Sequence, residues 1–400
     1  MIQSYDLAII GGGIVGLTLA ASLADSHLSI ALIEGNTAKK LDNDVIGRVS
    51  AISFASQTIF EKLGIWPLLN KKRITAYDTM MVWDQDSAAK IAFNAKQVER
   101  EQLGYIVENE QIEHVLLQSV EKQSNVTFYC PDQLTNLAVG EGENWLTLKS
   151  TETLTAKLVV AADGANSWIR NKADIPLVSW DYDHHAIVAT IKTELPHQHC
   201  ARQIFTPQGP LAFLPLFEQN LCSIVWSVPP EKAELLMGLS DGEFNKQLIR
   251  AFDNRLGLCE VTSARHFFPL TMRYARDFAK HRIALIGDAA HTIHPLAGQG
   301  LNLGLLDALS LAQTLIANSE ADKDIGMYPH LRQFERWRKS EALQMIASME
   351  VLKRVFEGNN PVQKGLRGVA LNFTDKLMPL KTQFIKQAMG LTGELPNIVK

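Results

Sequence analysis

Three glycines and one acid near the beginning of the chain have the spacing that binds a dinucleotide. Gly11, Gly13 and Gly16 follow an apolar run, a helix-spaced apolar segment comes next, and Glu34 ends a second apolar run. The first glycine allows a tight turn, the second lets the backbone approach a pyrophosphate, and the third lets the helix pack on the sheet. Glu34 can accept hydrogen bonds from both ribose hydroxyls of an adenosine and would repel a 2′-phosphate. The pattern predicts a site for FAD or NAD rather than NADP, because a purely structural glycine turn would leave Glu34 unexplained.

A second group of residues that could do chemistry lies between positions 287 and 302. Asp288 ends a short apolar run, where its carboxylate can accept hydrogen bonds from a ribityl chain. Gly298 and Gly300 lie in a loop of small residues, so a flat ring can lie against the backbone. Leu301 and Asn302 begin a long helix whose N-terminal dipole would point at that ring. This arrangement suits a flavin, whose reduced form carries negative charge on its N1–C2=O edge.

Four further positions each allow two interpretations. Asp163, followed by Gly164, ends an apolar strand and lies where ligands bind in open α/β sheets, but an aspartate there can also cap the next helix. Arg48 can reach a phosphate or a flavin edge, or it is a surface arginine near a helix start. His291 and His294 are candidates for acid–base chemistry, and packing or loop hydrogen bonding explains them equally well.

These residues need two kinds of framework. A strand–helix–strand unit over residues 5–34 and a buried strand over residues 157–162 predict a nucleotide-binding sheet. From position 180 onward, short strand-like runs alternate with proline and glycine, which predicts a mostly antiparallel second sheet. We therefore predict a dinucleotide-binding domain of residues 1–78, 100–178 and 270–330, a substrate domain of residues 79–99 and 179–269, and a C-terminal helical segment of residues 331–400.

Composition excludes several classes of protein. The net charge of −4 over 400 residues implies no nucleic-acid partner. The four cysteines contain no CxxC pair, which disfavours dithiol redox chemistry and fits a reducing compartment; they are Cys130, Cys200, Cys222 and Cys259. The histidines at 184, 185, 197 and 199 lack the three or four converging ligands of a metal site, so we predict no metal.

Both ends of the chain bear on its location. The first strand begins about five residues in, so we expect no signal peptide, and no apolar run is long enough to span a bilayer. We therefore expect a cytoplasmic protein. Residues 366–391 interleave apolar side chains with lysine and arginine, and this segment could face a membrane surface, a partner or the domain's own core.

Three motifs follow one another along the chain: the glycine turn with its acid, the Asp-Gly pair at 163–164, and the Gly-Asp pair at 287–288 with its proline and glycine loop. Their order and spacing resemble the single-component flavoprotein aromatic hydroxylases, the p-hydroxybenzoate hydroxylase-like group. The tracts RVSAI (48–52), ADGANS (162–167) and GDAAHTIHPLAGQGLN (287–302) resemble its ubiquinone-biosynthesis branch, the UbiH/UbiF/VisC family. The details are most similar to the 2-polyprenylphenol hydroxylases of the VisC/UbiI type, over nearly the whole chain.

This resemblance implies a fold and a set of contacts. The fold is α/β, with a Rossmann-like FAD-binding domain, an inserted, mostly antiparallel β-sheet substrate domain and C-terminal helices. Pro295 and Gly298 would position the flavin loop, and no acid–base residue is assigned. The residues that would contact non-covalently bound FAD are Gly11, Gly13, Gly16, Glu34, Arg48, Asn109, Asp163, Gly164, Asp288, Gly298, Gly300, Leu301 and Asn302.

The implied activity is hydroxylation of the ring of a polyprenylated phenol in ubiquinone biosynthesis, with O₂ and a flavin C4a-hydroperoxide. NAD(P)H is the implied electron donor; the chain has no second complete fingerprint, so the donor would bind transiently or electrons would come from elsewhere. For the apolar substrate wall we expect Phe213, Leu214, Pro215 and Trp226. We further expect a homo-oligomer, membership of a ubiquinone-biosynthesis complex and peripheral contact with the inner membrane.

Four other functions stay open. The enzyme could hydroxylate another aromatic substrate, or it could be a flavin oxidase or a reductase acting on an isoprenoid chain. A catalytically idle FAD protein could instead scaffold a lipid-biosynthesis complex. Labelled oxygen in the product separates a hydroxylase from an oxidase or a reductase, and the intact loop at 288–302 argues against an idle protein.

Overall fold

A computed structural model describes residues 2–37, 47–86, 90–293, 299–356 and 378–400 of the chain. Within these ranges the protein is built from nine α-helices and twenty β-strands. The helices are α1 (Ile14–Ser22), α2 (Phe54–Lys62), α3 (Asn109–Val120), α4 (Trp168–Lys172), α5 (Pro230–Gly238), α6 (Asp241–Ala251), α7 (Gln299–Glu320), α8 (Tyr328–Phe356) and α9 (Met378–Ala388). The strands are β1 (Gln3–Ile10), β2 (Ile30–Ile33), β3 (Val49–Ile52), β4 (Thr75–Tyr77), β5 (Thr79–Asp84), β6 (Lys90–Asn94), β7 (Gly104–Glu108), β8 (Val126–Tyr129), β9 (Leu134–Val139), β10 (Asn144–Leu148), β11 (Thr153–Ala161), β12 (Leu177–Thr193), β13 (Cys200–Thr206), β14 (Gly209–Pro215), β15 (Leu221–Val228), β16 (Cys259–Val261), β17 (His266–Ala275), β18 (Ala279–Lys280), β19 (Ile283–Leu285) and β20 (His291–Thr292).

The first sheet is parallel at its centre, in the order β19-β11-β1-β2-β8. β1 has a parallel neighbour on each side, with Ile9 opposite Leu32 of β2 and Val160 of β11. Strands of such a sheet are apolar without alternation because both faces are covered, and all four residues of β2 are buried. β11 changes partner along its length: its first residues pair antiparallel with β10, and residues 159–161 pair in parallel with β19.

The longest apolar helix, α7, lies inside this part of the protein. Within the described ranges it is the one helix that is long and apolar enough, by length and composition alone, to cross a membrane. Most of its apolar stretch is buried, and it packs against α1 and α8. Its buried leucines and alanines belong to the same core as β1 and β11, so α7 serves here as a core helix.

The second sheet has nine strands, in the order β20-β17-β12-β15-β14-β13-β5-β6, with β16 beside β12. Its pairings are antiparallel except for that of β13 with β5. The hairpin predicted at 79–83 and 90–93 forms as β5 and β6, at one edge of this sheet. One face of the sheet packs against α5 and α6, and that core also holds Phe213 and Phe252, whose stacked rings have centroids 3.8 Å apart.

A third, small sheet in the order β3-β7-β4 and the last helix complete the described structure. On and just after α9, Ile385 and Met389 are buried against Ala95 and Leu103. The described end of the segment 366–391 therefore packs on the protein's own core, which is one of the three alternatives left open by its sequence. Residues 366–377 of that segment lie outside the described ranges.

Candidate active site

A cleft of about 380 Å³ lies between the carboxyl ends of the first sheet and one face of the second. It is bordered by the turn after β1, by the residues that follow β11 and β19, and by strands β12 to β15. Ligands of open α/β sheets bind at this edge, where strand ends and helix N-termini meet. The sequence-predicted contact residues that line the cleft are Gly13, Arg48, Asn109, Gly164, Leu214, Asp288, Gly300 and Leu301.

The glycine turn between β1 and α1 has two tight positions and one open position. Gly11 has φ +111°, and a β-carbon built on it would overlap the carbonyl oxygen of Ala162. A β-carbon on Gly16 would overlap the carbonyl oxygen of Gly11. Gly13 has an ordinary φ of −75°, and a β-carbon on it would meet no atom within 4 Å in the described structure. Gly11 and Gly16 are therefore required by the fold, and Gly13 leaves room for a phosphate at the N-terminus of α1.

Glu34 lies at the end of β2, beside the glycine turn. Its Oε2 accepts a hydrogen bond of 2.7 Å from the backbone N–H of Gly12, and its Oε1 accepts one of 2.7 Å from the backbone N–H of Asn36. These two bonds fix the carboxylate next to the turn. The Asn36 Nδ2 also donates to Oε1 at 3.1 Å. Since an ionised carboxylate has about four acceptor positions, Glu34 retains one for a ribose hydroxyl of an adenosine.

Arg48 and Asn109 are held side by side by backbone pairing. Val49 and Glu108 face each other in the β3–β7 ladder, and the backbone N–H of Asn109 donates to the carbonyl of Arg48 at 2.9 Å. The Asn109 Oδ1 is buried and accepts no hydrogen bond within the described structure. Leaving a buried acceptor unpaired costs about 1–3 kcal/mol, and a donor on a bound ligand would recover that cost.

Asp163 caps a helix with one carboxylate oxygen and leaves the other without a partner in the described structure. Its Oδ2 accepts hydrogen bonds from the backbone N–H groups of Trp168 (2.7 Å) and Ile169 (3.1 Å), so it caps α4. Its Oδ1 is buried and has no hydrogen-bond partner among the residues described. The next residue, Gly164, has φ +80° and borders the cleft. The capping oxygen is structural, and the other oxygen is available to a ligand.

The Asp288 carboxylate is open to the cleft, although protein surrounds the cleft on most sides. Desolvation there raises the pKa of Asp288 above its ordinary value, and Coulombic interactions with His291 and Arg48 oppose the rise. The Arg48 guanidinium carbon lies 5.9 Å from the centre of the Phe268 ring. This carboxylate is placed to accept hydrogen bonds from the hydroxyls of a ribityl chain.

The flavin loop is described only at its two ends. His294, Pro295 and Gly298 lie outside the described residues. Gly300 and Leu301, in the first turn of α7, line the cleft, and a β-carbon on Gly300 would meet none of the described residues within 4 Å.

The Asn302 side chain makes structural hydrogen bonds. Its Oδ1 accepts from the backbone N–H of Ser53 (3.0 Å) and from the hydroxyl of Ser56 (2.7 Å). Its Nδ2 donates to the carbonyl of Ala51 at 2.8 Å. The side chain thus ties the start of α7 to the segment joining β3 and α2, and a flavin contact at this position would come from the backbone.

A buried cluster of Asp307, His291 and Arg338 lies beside α7, and two of its members, Asp307 and Arg338, were missed by sequence reasoning. Asp307 accepts from His291 Nε2 at 2.6 Å, from Arg338 Nε at 2.7 Å and from the backbone N–H of Gly287 at 3.0 Å. Burial would raise the pKa of Asp307, but His291 and Arg338 outweigh it and hold that pKa below its ordinary value. One signal was present: Asp307 is the only charged residue between positions 299 and 319 of an apolar helix, and a buried charge needs a partner.

The substrate wall predicted from sequence is divided between two faces of the second sheet. Leu214 lines the cleft, but Phe213 and Trp226 are buried in the core against α5 and α6. Pro215 is also buried, and by strand alternation it shares the side of Phe213. The side chains of Phe213 and Trp226 therefore point away from the cleft, whose floor is made of smaller residues.

The chain matches the family model described as FAD binding domain over residues 4–332. It is 34% identical over 391 residues to the 3-demethoxyubiquinol 3-hydroxylase of Escherichia coli (strain K12), covering 97% of this chain and 99% of that protein. It is 34% identical over 400 residues to the ubiquinone hydroxylase UbiL of Rhodospirillum rubrum, covering 99% of this chain and 92% of that one. The p-nitrophenol 4-monooxygenase PnpA of Pseudomonas putida DLL-E4 shares the fold, with a TM-score of 0.80 and 18% identity over 98% of this chain and 100% of that one.

These matches confirm the predicted fold class, with a Rossmann-like FAD-binding part and a mostly antiparallel second sheet. They also confirm FAD as the cofactor and monooxygenation as the enzyme class. The structure agrees with the cofactor, since Gly13 leaves space at a helix N-terminus and Asn109 and Asp163 present unpaired acceptors. The chain belongs to the FAD binding domain family, among the flavin-dependent hydroxylases of ubiquinone biosynthesis.

Proposed function

We propose that this enzyme hydroxylates the aromatic ring of a phenol that carries a polyprenyl tail, as a step of ubiquinone biosynthesis. The observation that carries the proposal is the cleft, in which residues suited to FAD face an apolar sheet floor. That floor consists mainly of small and branched side chains, among them Val188, Ala212 and Val225. They leave room for a ring beside the cofactor. The names of two relatives, a demethoxyubiquinol hydroxylase and a ubiquinone hydroxylase, support this substrate class.

In this proposal the first sheet holds the cofactor. Gly13 and the N-terminus of α1 bind the pyrophosphate, Glu34 binds the adenosine ribose and Asp288 binds the ribityl chain. The unpaired oxygens of Asn109 and Asp163 accept hydrogen bonds from donors on the cofactor. FAD, when bound and reduced, supplies the chemistry that activates O₂ for transfer to the ring.

The second sheet holds the substrate. A phenol ring is already electron-rich, so the reaction asks the protein for position and dryness rather than for a nucleophile. Leu214 and Val225 on the floor exclude water from the ring, and they support it at the contact distance of about 3–3.5 Å that reaction requires. The positive end of α7, at Gly300 and Leu301, favours negative charge where the flavin ring would lie.

We further propose NAD(P)H as the electron donor, binding transiently at the cleft, because the sequence has one complete dinucleotide fingerprint and FAD takes it. A polyprenyl tail partitions into lipid, so we propose that the enzyme works from the cytoplasmic side of the inner membrane, in peripheral contact with it. Liposome flotation with and without a prenylated phenol tests the contact. Protein that stays unbound in both conditions would remove the membrane part of this proposal.

The test of the activity is oxygen labelling. FAD-loaded enzyme is supplied with NADPH or NADH, a geranylated phenol and ¹⁸O₂, and the product is analysed by mass spectrometry. We expect one ¹⁸O atom per hydroxylated product, and no label when ¹⁸O is supplied as water instead. Donor consumption with unlabelled product would identify an oxidase or a reductase, and FAD binding without turnover of donor or phenol would identify an idle scaffold.

The ring position and the tail length follow from a second experiment. Cells that lack the gene should accumulate a prenylated phenol with one ring hydroxyl fewer than the next ubiquinone precursor, and returning the gene should restore ubiquinone. Mass and NMR spectra of the accumulated lipid give the position. Normal quinone levels in cells with no redundant hydroxylase would contradict the pathway assignment.

A further inference from the structure

The cleft-facing side of the second sheet contains one regular row of side chains. Gln203 of β13 pairs with Ala212 of β14, Ala212 pairs with Val225 of β15, and Val225 pairs with Val188 of β12. All four residues line the cleft. Three are apolar, so the row presents a flat hydrophobic surface that ends in a single amide.

The Gln203 amide has no structural partner. The residue is only 6% exposed, and its side chain makes no hydrogen bond within the described structure. The amide nitrogen and oxygen of Gln203 are not among the buried unpaired polar atoms of the described structure, so they are accessible from the cleft. A ligand that displaces water from this amide must hydrogen-bond to it, or it leaves the amide unpaired at a cost of about 1–3 kcal/mol. Since the amide borders the cleft, it is placed to bind a ligand there.

The other polar groups on this face lie too far away to share one ring oxygen with Gln203. Ser223 and Ser227 flank Val225, two strands from Gln203. With about 4.8 Å between strands and 3.4 Å per residue, each serine Cα lies about 12 Å from the Cα of Gln203. The residues assigned to FAD belong to the opposite wall, and Tyr77, which also lines the cleft, belongs to the third sheet. Gln203 is therefore the polar side chain at its end of the row on the described face of the second sheet.

We propose that Gln203 binds the phenolic oxygen of the substrate and sets which ring carbon faces the flavin. This inference rests on the proposed function, since it supposes a phenol as substrate. An amide carbonyl accepts a hydrogen bond from the phenol O–H, and the amide NH₂ can donate to a neighbouring ring oxygen. The ring then lies along the apolar row Ala212–Val225–Val188, with its hydroxyl at the Gln203 end.

A site of this kind discriminates by leaving polar groups unpaired. A pocket built to hydrogen-bond a substrate O–H rejects an analogue that lacks it far more strongly than an apolar pocket rejects a change of size. The enzyme should therefore bind a phenol more tightly than the corresponding methyl ether, which cannot donate. Gln203 should account for most of that difference.

The experiment uses FAD-loaded enzyme, 2-geranylphenol and its methyl ether, with binding followed by the change in flavin absorbance. We expect the parent to bind the phenol at least tenfold more tightly than the ether. In Gln203→Met the Kd for the phenol should rise about 10- to 100-fold, and the Kd for the ether should change less than threefold. A Gln203→Met enzyme that keeps the parent's preference for the phenol would overturn the proposal.

Two matched variants make the result specific. Gln208→Met makes the same chemical change at an exposed position of the β13–β14 hairpin. Ser223→Ala removes one of the two serine hydroxyls that flank Val225 in the row. Both should keep the parent's preference, and its loss in Ser223→Ala with retention in Gln203→Met would overturn the assignment. If Gln203→Met fails to fold or bind FAD, the parent alone decides, because equal binding of phenol and ether contradicts the proposal. If these binding results contradict the role of Gln203 while the parent enzyme still makes ¹⁸O-labelled product, the proposed function stands. If the parent makes no labelled product, the proposed function and the role of Gln203 both fail.

Discussion

Gly13 and Gly16 belong to one turn but differ in their surroundings. The position of a β-carbon on Gly16 coincides with the carbonyl oxygen of Gly11, whereas the same position on Gly13 is open in the described structure. Gly13 also has a φ of −75°, which any L-residue adopts. The described fold therefore does not require glycine at position 13, and we propose that a ligand needs the space.

Gly13→Ala should separate cofactor binding from stability. We expect the apo protein to unfold within about 0.5 kcal/mol of the parent, since the new methyl group meets no atom. Its Kd for FAD should rise roughly tenfold or more, because the methyl group occupies the position of the pyrophosphate. Urea unfolding and titration of apo protein with FAD measure the two quantities.

The matched control is Gly16→Ala, the same change one helical turn later. This variant should destabilise the apo protein directly, because backbone must move to admit the methyl group. If Gly13→Ala binds FAD as tightly as the parent, the pyrophosphate lies elsewhere and the site has to be moved.

At the scale of elements, Asp307 connects three parts of the structure. It joins α7 to α8 through Arg338, to β20 through His291, and to the backbone that precedes Asp288 through the N–H of Gly287. The side chains of Asp307, His291 and Arg338 are almost completely buried. The position of the Asp288 carboxylate in the cleft thus depends on a residue that does not line it.

We expect Asp307→Asn to cost about 3–5 kcal/mol of the free energy of unfolding, because Arg338 is left buried without its counter-charge. The double variant Asp307→Asn/Arg338→Met should recover part of the loss.

The low pKa of Asp307 also makes the stability depend on pH. The contribution of Asp307 to the free energy of unfolding is complete above its unfolded pKa of 3.8 and declines as the pH falls below that value. Urea unfolding of the parent and the variants between pH 7 and pH 3 measures the mutational losses and the pH dependence. If the losses of the two single substitutions simply add in the double variant, Asp307 and Arg338 do not stabilise each other.

The two faces of β14 should respond differently to truncation. Phe213→Ala should lower the free energy of unfolding by about 3–5 kcal/mol, since the ring is buried and stacked on Phe252. Leu214→Ala, its neighbour, should cost less than about 2 kcal/mol because its side chain borders the cleft, but should raise the KM for the prenylated phenol. Urea denaturation and steady-state kinetics on both variants measure these effects. If Leu214→Ala lowers the stability more and Phe213→Ala raises the KM more, the substrate lies on the other face of β14.

Arrangements of residues that are close in the sequence could be predicted well, and contacts between residues far apart in the sequence could not. The turn, helix and acid of the first unit lie within about 30 residues, and each has a distinct physical role, so their assembly could be predicted. The side chain of Asn302 bonds to Ser53, 249 residues away, and no sequence pattern links the two. Both faces of β14 are apolar, and alternation separates Phe213 from Leu214 without showing which face borders the cleft. The predicted substrate wall therefore included residues of both faces.

At the scale of the whole molecule, the cleft is assembled from distant parts of the chain. Residues 13–15, 48–51 and 286–288 contribute one wall, and strands of the second sheet contribute the other. FAD bound there would contact all the segments of its wall at once. Cofactor binding is therefore coupled to the folding of the entire nucleotide-binding part.

FAD should stabilise the protein according to its affinity. At a free concentration 100 times its Kd, we expect the free energy of unfolding to rise by about 2.7 kcal/mol. FMN at the same concentration should stabilise much less, because it lacks the adenosine half that Gly13 and Glu34 are placed to hold. Thermal and urea unfolding with each flavin test this, and equal stabilisation by FMN would show that the glycine turn does not bind the cofactor.

The pairing of β1 has a consequence for the order in which the chain can fold during its synthesis. β2 is made early, but β11, the partner on the other side of β1, follows about 130 residues later. At about 5–20 residues per second, the growing chain carries that uncovered apolar edge for roughly 6 to 26 s. An unpaired strand edge of this kind invites association with other chains. The cofactor gives no protection during this interval, because Asp288 and α7 have not yet been translated; we therefore expect a chaperone that binds unpaired strands to raise the yield of folded protein.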